Sequence, residues 1–362
     1  MSGGVDSSVS AAILKRDGYD VTGVFIKTWS PDFLPCAWQE ERRDAMRVAA
    51  KLKIPLLTLD LGKEYKEQVV DYMIAEYRTG RVPNPDVMCN KVIKFGSFFD
   101  FAMNPPAGGR ADFVATGHYA GIRIKPALLA HGHEGEFADR TGFILTKSSD
   151  KDKDQTYFLW TLKQRELSKT LFPIGHLLKS EVRKLAKKFG LPNAEKKDSQ
   201  GLCFMGKINV KDFLKHYIKE SPGLVLNERG EKIGRHKGAN FFTIGERHSF
   251  VVDKKTSNDR PYYVMDKDLK KNTLIVSNKK NGGGISREEI EVKDVNWNHG
   301  VEPNLSKKYS ARIRYRQELQ VCRICKINKT YRIKFEEGQI AAPGQSAVFY
   351  DNDVCLGGGI IL

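Results

Sequence analysis

Near its start the chain reads Ser2-Gly3-Gly4-Val5-Asp6-Ser7-Ser8. Two adjacent glycines allow backbone torsions that a side chain would forbid, so several N–H groups can turn inward around an anion. Val9, Ala12 and Ile13 follow at helical spacing, and the N-terminus of such a helix adds its positive end to the same concavity. The stretch predicts a phosphate cradle. It is not the GxxxxGK[ST] nucleotide loop, because no Lys-Ser/Thr pair follows at that spacing. A plain glycine turn capped by serines is the other reading these residues allow.

Outward from the cradle, short apolar runs alternate with helical patterns to about residue 149. Residues 21–26, 54–61 and 112–115 read as strands, and 40–52 and 63–77 as amphipathic helices. This alternation predicts an α/β fold with a doubly wound parallel sheet and ligands at the strand C-terminal ends. In such a sheet the phosphate loop follows the first strand. Only Met1 precedes Ser2, so the first strand is apparently missing: either the true start lies upstream, or a central strand has been lost.

Beyond residue 208 the texture changes. Short β-type runs at 241–244, 261–265, 273–276, 309–315, 330–335 and 347–350 predict a small central β-rich domain and a C-terminal β-barrel. The glycine-rich NGGGIS stretch at 281–286 marks a boundary. The expected units are a catalytic domain at 1–207, a central β-rich domain at 208–283 and a C-terminal β-barrel at 284–362.

The chain has 362 residues, with 60 Lys plus Arg against 44 Asp plus Glu, a formal charge of +16. Such an excess is typical of nucleic-acid binders. No apolar run approaches the ~20 residues that span a bilayer, and no signal peptide precedes the cradle, so no membrane partner and a cytoplasmic location are expected. Six cysteines in a chain of this size read as reduced thiols rather than a disulfide framework.

Two of those cysteines sit in telling places. GRVPNPDVMCN (80–90) offers Asn84 as a natural N-cap and Pro85 at the first helical position, with Asp86 and Cys89 three apart on one face of the first turn. The helix N-terminus and nearby Lys91 and Lys94 favour a thiolate. A capped helix with a small buried cysteine fits the same residues. Further on, DSQGLCFMG (198–206) follows a basic helix over 179–189, and Cys203 comes after a glycine in an expected loop, either as an accessible reactive thiol or as a half-buried one. Cys322 and Cys325 form a lone CxxC whose members point to opposite faces of a strand, so no metal site is expected.

The cradle resembles the pyrophosphate-binding loop of ATP pyrophosphatases, which cleave ATP while adenylating a carbonyl oxygen. Taken with PNPDVMCN, DSQGLCFMG, ATGHYA (115–120), KDQTYFL (153–159), RYRQ (314–317) and PGQSAVFY (343–350), the chain resembles the tRNA-specific 2-thiouridylases over nearly its whole length. That resemblance implies ATP with Mg²⁺ as co-substrate and no tightly bound cofactor. It implies tRNA as partner, together with a sulfur donor, either a cysteine desulfurase or a relay protein. It makes Cys203 the persulfide carrier, Cys89 the nucleophile that releases the sulfur and closes a transient disulfide with Cys203, and Asp86 the acid/base. Ser2, Gly3, Gly4, Val5, Asp6, Ser7, Ser8, Ile26 and Gly117 are implied for ATP. Asn84, Pro85, Asp86, His118, Lys153, Asp154, Gln155, Arg314, Tyr315 and Gln345 are implied for tRNA.

The chemistry fits these residues independently. A uracil oxygen leaves only once AMP has been attached, and the incoming sulfur must be the terminal atom of a persulfide, which calls for one cysteine to carry it and a second to resolve it. Strand alternation further predicts Arg312, Arg314 and Arg316 on one face, a row suited to phosphates. By residues alone, the KDKDQ run also reads as a solvated turn and His118 as a satisfied core histidine. Two rivals remain at this level: an amide-forming ligase of the same superfamily, and an RNA-binding protein without catalysis. An iron–sulfur cluster on Cys89 and Cys203 would need further ligands.

Overall fold

Helix α1 (Val5–Arg16) begins directly after Gly4. Val5, Val9 and Ile13 recur at its core-facing spacing and pack with Val48, Val182, Ala186 and Leu191. The computed structural model describes residues 1–34, 38–106, 109–125, 142–197, 209–253, 260–279 and 286–362.

Strand β1 (Gly23–Lys27) leads through α2 (Trp38–Leu52) to β2 (Leu56–Asp60), and the two strands pair in parallel. A second parallel pair joins β3 (Val114–Ala115) to β6 (Thr170–Leu171). Among the described residues no strand connects the two pairs. On the edge of β1 away from β2, the Met1 amino group donates to the Val24 carbonyl. Burial there lowers that amino group to about 5, with the Lys94 charge adding to the effect. Among the described residues the parallel strands therefore form two separate pairs, with Met1 on the edge of one of them.

Two long helices carry the site. α3 covers 62–78 and α4 covers 85–103, and each passes through a π-helical stretch, Lys66–Asp71 in α3 and Cys89–Ser97 in α4. After β3 the chain forms an antiparallel hairpin, β4 (Ala120–Lys125) with β5 (Gly142–Lys147). α5 (Lys179–Lys188) is the expected basic helix.

α6 (Val210–Lys215) opens the central unit. Its five-stranded sheet runs β10-β11-β7-β8-β9, from β7 (Gly223–Leu226), β8 (Lys232–His236), β9 (Val251–Val252), β10 (Tyr263–Asp268) and β11 (Thr273–Ser277). Its apolar face shares one core with α3 and α4, in which Phe213, Phe242 and Val264 meet Tyr65, Met73 and Ile93. One expectation fails here. Residues 241–244 form no strand; a single 3-10 turn spans Ala239–Phe241. The aromatic run looks β-like, but Gly238 and Gly245 take left-handed torsions on either side and break the extended path.

The C-terminal part closes into a six-stranded barrel. β12 (Arg287–Trp297), β15 (Thr330–Gln339), β14 (Gln320–Ile327), β13 (Lys308–Arg312), β16 (Ser346–Asp351) and β17 (Val354–Ile361) follow in that spatial order, and β12 pairs back with β17. The ladder does not stop there: Val354 of β17 pairs with Thr146 of β5, so the barrel sheet runs on into the β4–β5 hairpin. β13 ends at Arg312, three residues short of expectation. The Gln317 side-chain oxygen accepts from the Ile313 and Arg314 amides at 2.8 and 3.2 Å, closing a turn in place of a ladder. The predicted row of three arginines is thereby broken. Arg312 is buried, while Arg314 and Arg316 lie in the turn, Arg316 at φ 63°.

Candidate active site

The cradle is held from inside and outside. Gly3 adopts φ 72° and lies so close to the Glu41 carbonyl that a side chain would collide with it. Ser7 and Ser8 hydroxyls donate to the Gly4 carbonyl at 3.1 and 2.8 Å, and Ser2 bonds to Ser7. With Gly4 as N-cap, the first-turn amides of α1 open onto the loop, the arrangement that binds phosphate. Gly117, in the turn after β3, packs directly on the Asp6–Ser7 backbone. Ile26, in β1, packs against the core shared by α3 and the central unit.

Two residues that sequence reasoning missed complete the cradle. Asn193 is buried and donates to the Gly3 carbonyl and the Ser8 hydroxyl, both at 2.9 Å, while its own carbonyl oxygen has no partner. Lys179, first residue of α5, reaches both Asp6 oxygens at 2.7 and 2.9 Å, and the Tyr119 hydroxyl donates to the same carboxylate at 3.0 Å. Both lie more than 170 positions from the loop they hold. The contacts come from tertiary packing, and no local pattern announces them.

The second expected part of the site is the N-terminus of α4. Asn84 caps it, its side chain accepting from the Val87 amide at 3.2 Å, and Pro85 takes the first helical position. Asp86 keeps an exposed edge but lies in crowded surroundings. Desolvation there raises its carboxyl above the ordinary carboxylate range, and Lys94 opposes the shift. Cys89 is buried at the start of the π stretch, in the core that includes Ile93 and Tyr65. Cys203 and its loop lie outside the described residues, as does Cys36. Cys322 is buried and Cys325 exposed, on opposite faces of β14.

The residues expected at tRNA divide into two groups. His118 is buried between the rings of Phe95 and Phe172, shares a 2.8 Å hydrogen bond with Thr116, and is held neutral by burial. Asp154 is buried too. It pairs with Arg312 at 3.3 Å and accepts from Thr156 and from the Ser148 amide, so its carboxylate is spent inside the protein. Gln155 exchanges hydrogen bonds with the Tyr119 backbone. His118, Asp154 and Gln155 thus each also hold neighbouring elements of the folded chain. The KDKDQ run is accordingly more than a solvated turn.

By contrast Lys153 is half-buried, Arg314 exposed and Tyr315 half-buried. Arg314 reaches the Ile340 and Ile244 carbonyls at 3.2 and 3.4 Å, bridging barrel and central unit, and Tyr315 lies against Phe158. Gln345 donates back to the segment before Asn84.

A family model described as tRNA methyl transferase HUP domain matches residues 1–207. The companion PRC-barrel and aminomethyltransferase β-barrel domains match 211–278 and 287–361. The tRNA-specific 2-thiouridylase MnmA of Methylobacillus flagellatus is 43% identical over 366 residues, covering 100% of this chain and 97% of that protein. Those of Nitrosomonas eutropha and Geobacillus kaustophilus are also 43% identical across this whole chain, covering 96% and 94% of their own lengths. Fold and cradle together define an ATP-using enzyme of the HUP class. Within that class, the chain belongs to the tRNA-specific 2-thiouridylase family.

Proposed function

We propose that this enzyme, a tRNA-uridine 2-sulfurtransferase acting on the wobble uridine of tRNAs of the Lys, Glu and Gln type, works by adenylation followed by persulfide transfer. Two observations support the reading: a glycine phosphate cradle opens α1, and a capped helix start carries Asp86 and Cys89 on one turn.

Ser2 to Ser8 and the α1 N-terminus hold the pyrophosphate end of ATP. The adenine lies near Ile26 and Gly117. Asp6, paired with Lys179 in this structure, would be the carboxylate to hold the Mg²⁺ accompanying the nucleotide, an ion that would supply charge to offset the phosphates. Asn84 and Pro85 border the splayed-out uracil, whose loop already presents unpaired bases. The uracil C2 oxygen attacks the α-phosphorus and pyrophosphate departs. Asp86, its carboxyl already raised, takes the N3 proton.

The terminal sulfur of a Cys203 persulfide then attacks C2 and AMP leaves. Cys89 attacks the Cys203 sulfur, freeing the thiolated uridine and closing a disulfide that a thiol reductant reopens. A cysteine desulfurase or relay protein reloads Cys203. Lys153, Arg314 and Tyr315 face the RNA. No helix is long and apolar enough to cross a membrane among the described residues, and the reaction belongs in the cytoplasm.

Nucleoside mass spectrometry of tRNA from cells lacking the gene tests the reading. Loss of the 2-thiouridine at the wobble position is expected, and normal thiolation with no second enzyme to supply it overturns the assignment.

A further inference from the structure

Asp6 is the acidic residue of the cradle, in the first turn of α1, and its side chain is 32% exposed. Among the described residues two side chains hold its carboxylate. Lys179 Nζ reaches both oxygens, at 2.7 and 2.9 Å, and the Tyr119 hydroxyl donates to Oδ1 at 3.0 Å. The two partners differ in kind. A metal ion arriving at Asp6 competes with the lysine, because two cations repel each other over the same oxygens. The hydroxyl carries no charge, and a carboxylate has lone pairs enough to keep that bond while it takes another ligand.

Tyr119 is itself firmly seated. It is 2% exposed and packs in the core that holds Val5, Val9 and Val182. Its amide donates to the Gln155 side-chain oxygen, and its carbonyl accepts from the Gln155 amide, both at 2.9 Å. The same turn reaches Lys179. Asp150 Oδ2 accepts from the Lys179 amide at 2.8 Å, while Oδ1 accepts from the Asp152 and Lys153 amides at 3.1 and 3.2 Å. Residues 150–155 thus brace both partners of Asp6 from behind. A metal-binding carboxylate is pre-oriented by hydrogen bonds of this kind, provided the donor is locked by its own packing.

Resting on the ATP-dependent reading above, we propose that Tyr119 is a positioning residue whose hydroxyl sets the angle at which Asp6 meets the metal ion carried by the nucleotide. Lys179 neutralises Asp6 before the nucleotide arrives and gives way to the ion. Tyr119 keeps its bond to Oδ1 through that exchange, so the carboxylate does not have to be reoriented. No covalent bond changes and no proton moves in this step.

Calorimetric binding of α,β-methylene ATP to the full chain, once with Mg²⁺ and once with EDTA, tests this. Y119F removes only the hydroxyl. It is expected to weaken Mg²⁺-supported binding about tenfold, the scale for losing a hydrogen bond to a charged group, and to leave metal-free binding within about twofold of wild type. The affinity for tRNA and the thermal midpoint should stay near wild type. Because Tyr119 acts through Asp6, adding Y119F to D6N should weaken binding no further. If Y119F folds poorly, Y119M also lacks the hydroxyl and takes its place. Equal losses with and without metal, full additivity with D6N, or a loss that follows a fallen thermal midpoint overturns the proposal. If the wild-type protein binds the nucleotide no better with Mg²⁺ than without, the ATP reading fails first and the role of Tyr119 falls with it.

Discussion

The side-chain amide of Gln345 donates to the Val82 carbonyl at 2.8 Å and to the Pro83 carbonyl at 3.3 Å. In return the Val82 amide donates to the Pro343 carbonyl at 2.8 Å. The C-terminal barrel thus grips the backbone just ahead of Asn84, the cap of the helix that carries Asp86 and Cys89. Gln345 is expected at the tRNA, and in the folded chain its amide nitrogen holds the segment before Asn84. Q345A should therefore cost about 1 kcal/mol of stability and slow single-turnover thiolation while leaving tRNA affinity near wild type. A large loss of tRNA affinity at an unchanged rate would return Gln345 to the RNA interface.

The buried Asp154–Arg312 pair makes a second test. Asp154 is 3% exposed and Arg312 8% exposed, and the Arg312 Nε has no partner. Removing one member strands the other's charge, so D154L and R312M alone should each destabilise by about 3–5 kcal/mol. The double variant should recover much of that, measured by urea unfolding. Additive losses would show that the two residues act separately. The salt dependence of tRNA binding in the double variant should match wild type, since the two opposite buried charges leave together.

His118 sets an acid limit. Burial, and then the Lys94 charge, hold its imidazole well below the ordinary 6.5. In the unfolded chain the ring takes up a proton near that ordinary value. The stability contributed by the neutral ring is therefore complete above pH 6.5 and is lost as pH falls through the lowered folded value. Thermal midpoints of wild type and H118Q, compared from pH 7.5 downward, should converge in acid as wild type loses this advantage. Parallel curves would sink the explanation.

The two cysteines of the sulfur step should separate by chemistry. C203S is expected to keep tRNA-dependent adenylation and to make no 2-thiouridine, because the persulfide has nowhere to form. C89S should accept sulfur on Cys203, seen as a mass gain of one sulfur atom, and stall before release. Adenylation lost in both variants would point to a folding role for the thiols instead.

Local chemistry was legible in the sequence. The glycine pair, the Asn84-Pro85 helix start and the strand-helix alternation depend on near neighbours, and each emerges where expected. What stayed hidden depends on distant partners. Nothing around Asn193 tells of the Gly3 carbonyl, and nothing in KDKDQ tells that Asp154 turns inward to Arg312. The arginine row failed for a related reason: one glutamine side chain closes a turn where alternation alone extends a strand. The π stretch of α4 is equally silent, because i→i+4 and i→i+5 helices share the same composition.

The pairing of Val354 with Thr146, and of the Lys147 amide with the Asp353 carbonyl at 2.8 Å, stitches the last strand of the chain to the nucleotide-handling half. Gene trimming is therefore closed to this enzyme. An ATP-using fragment cut free of its tail would carry a raw hydrogen-bonding rim along β5 and Tyr157 stripped of its acceptors on Ile313 and Ser346, and such a rim invites aggregation.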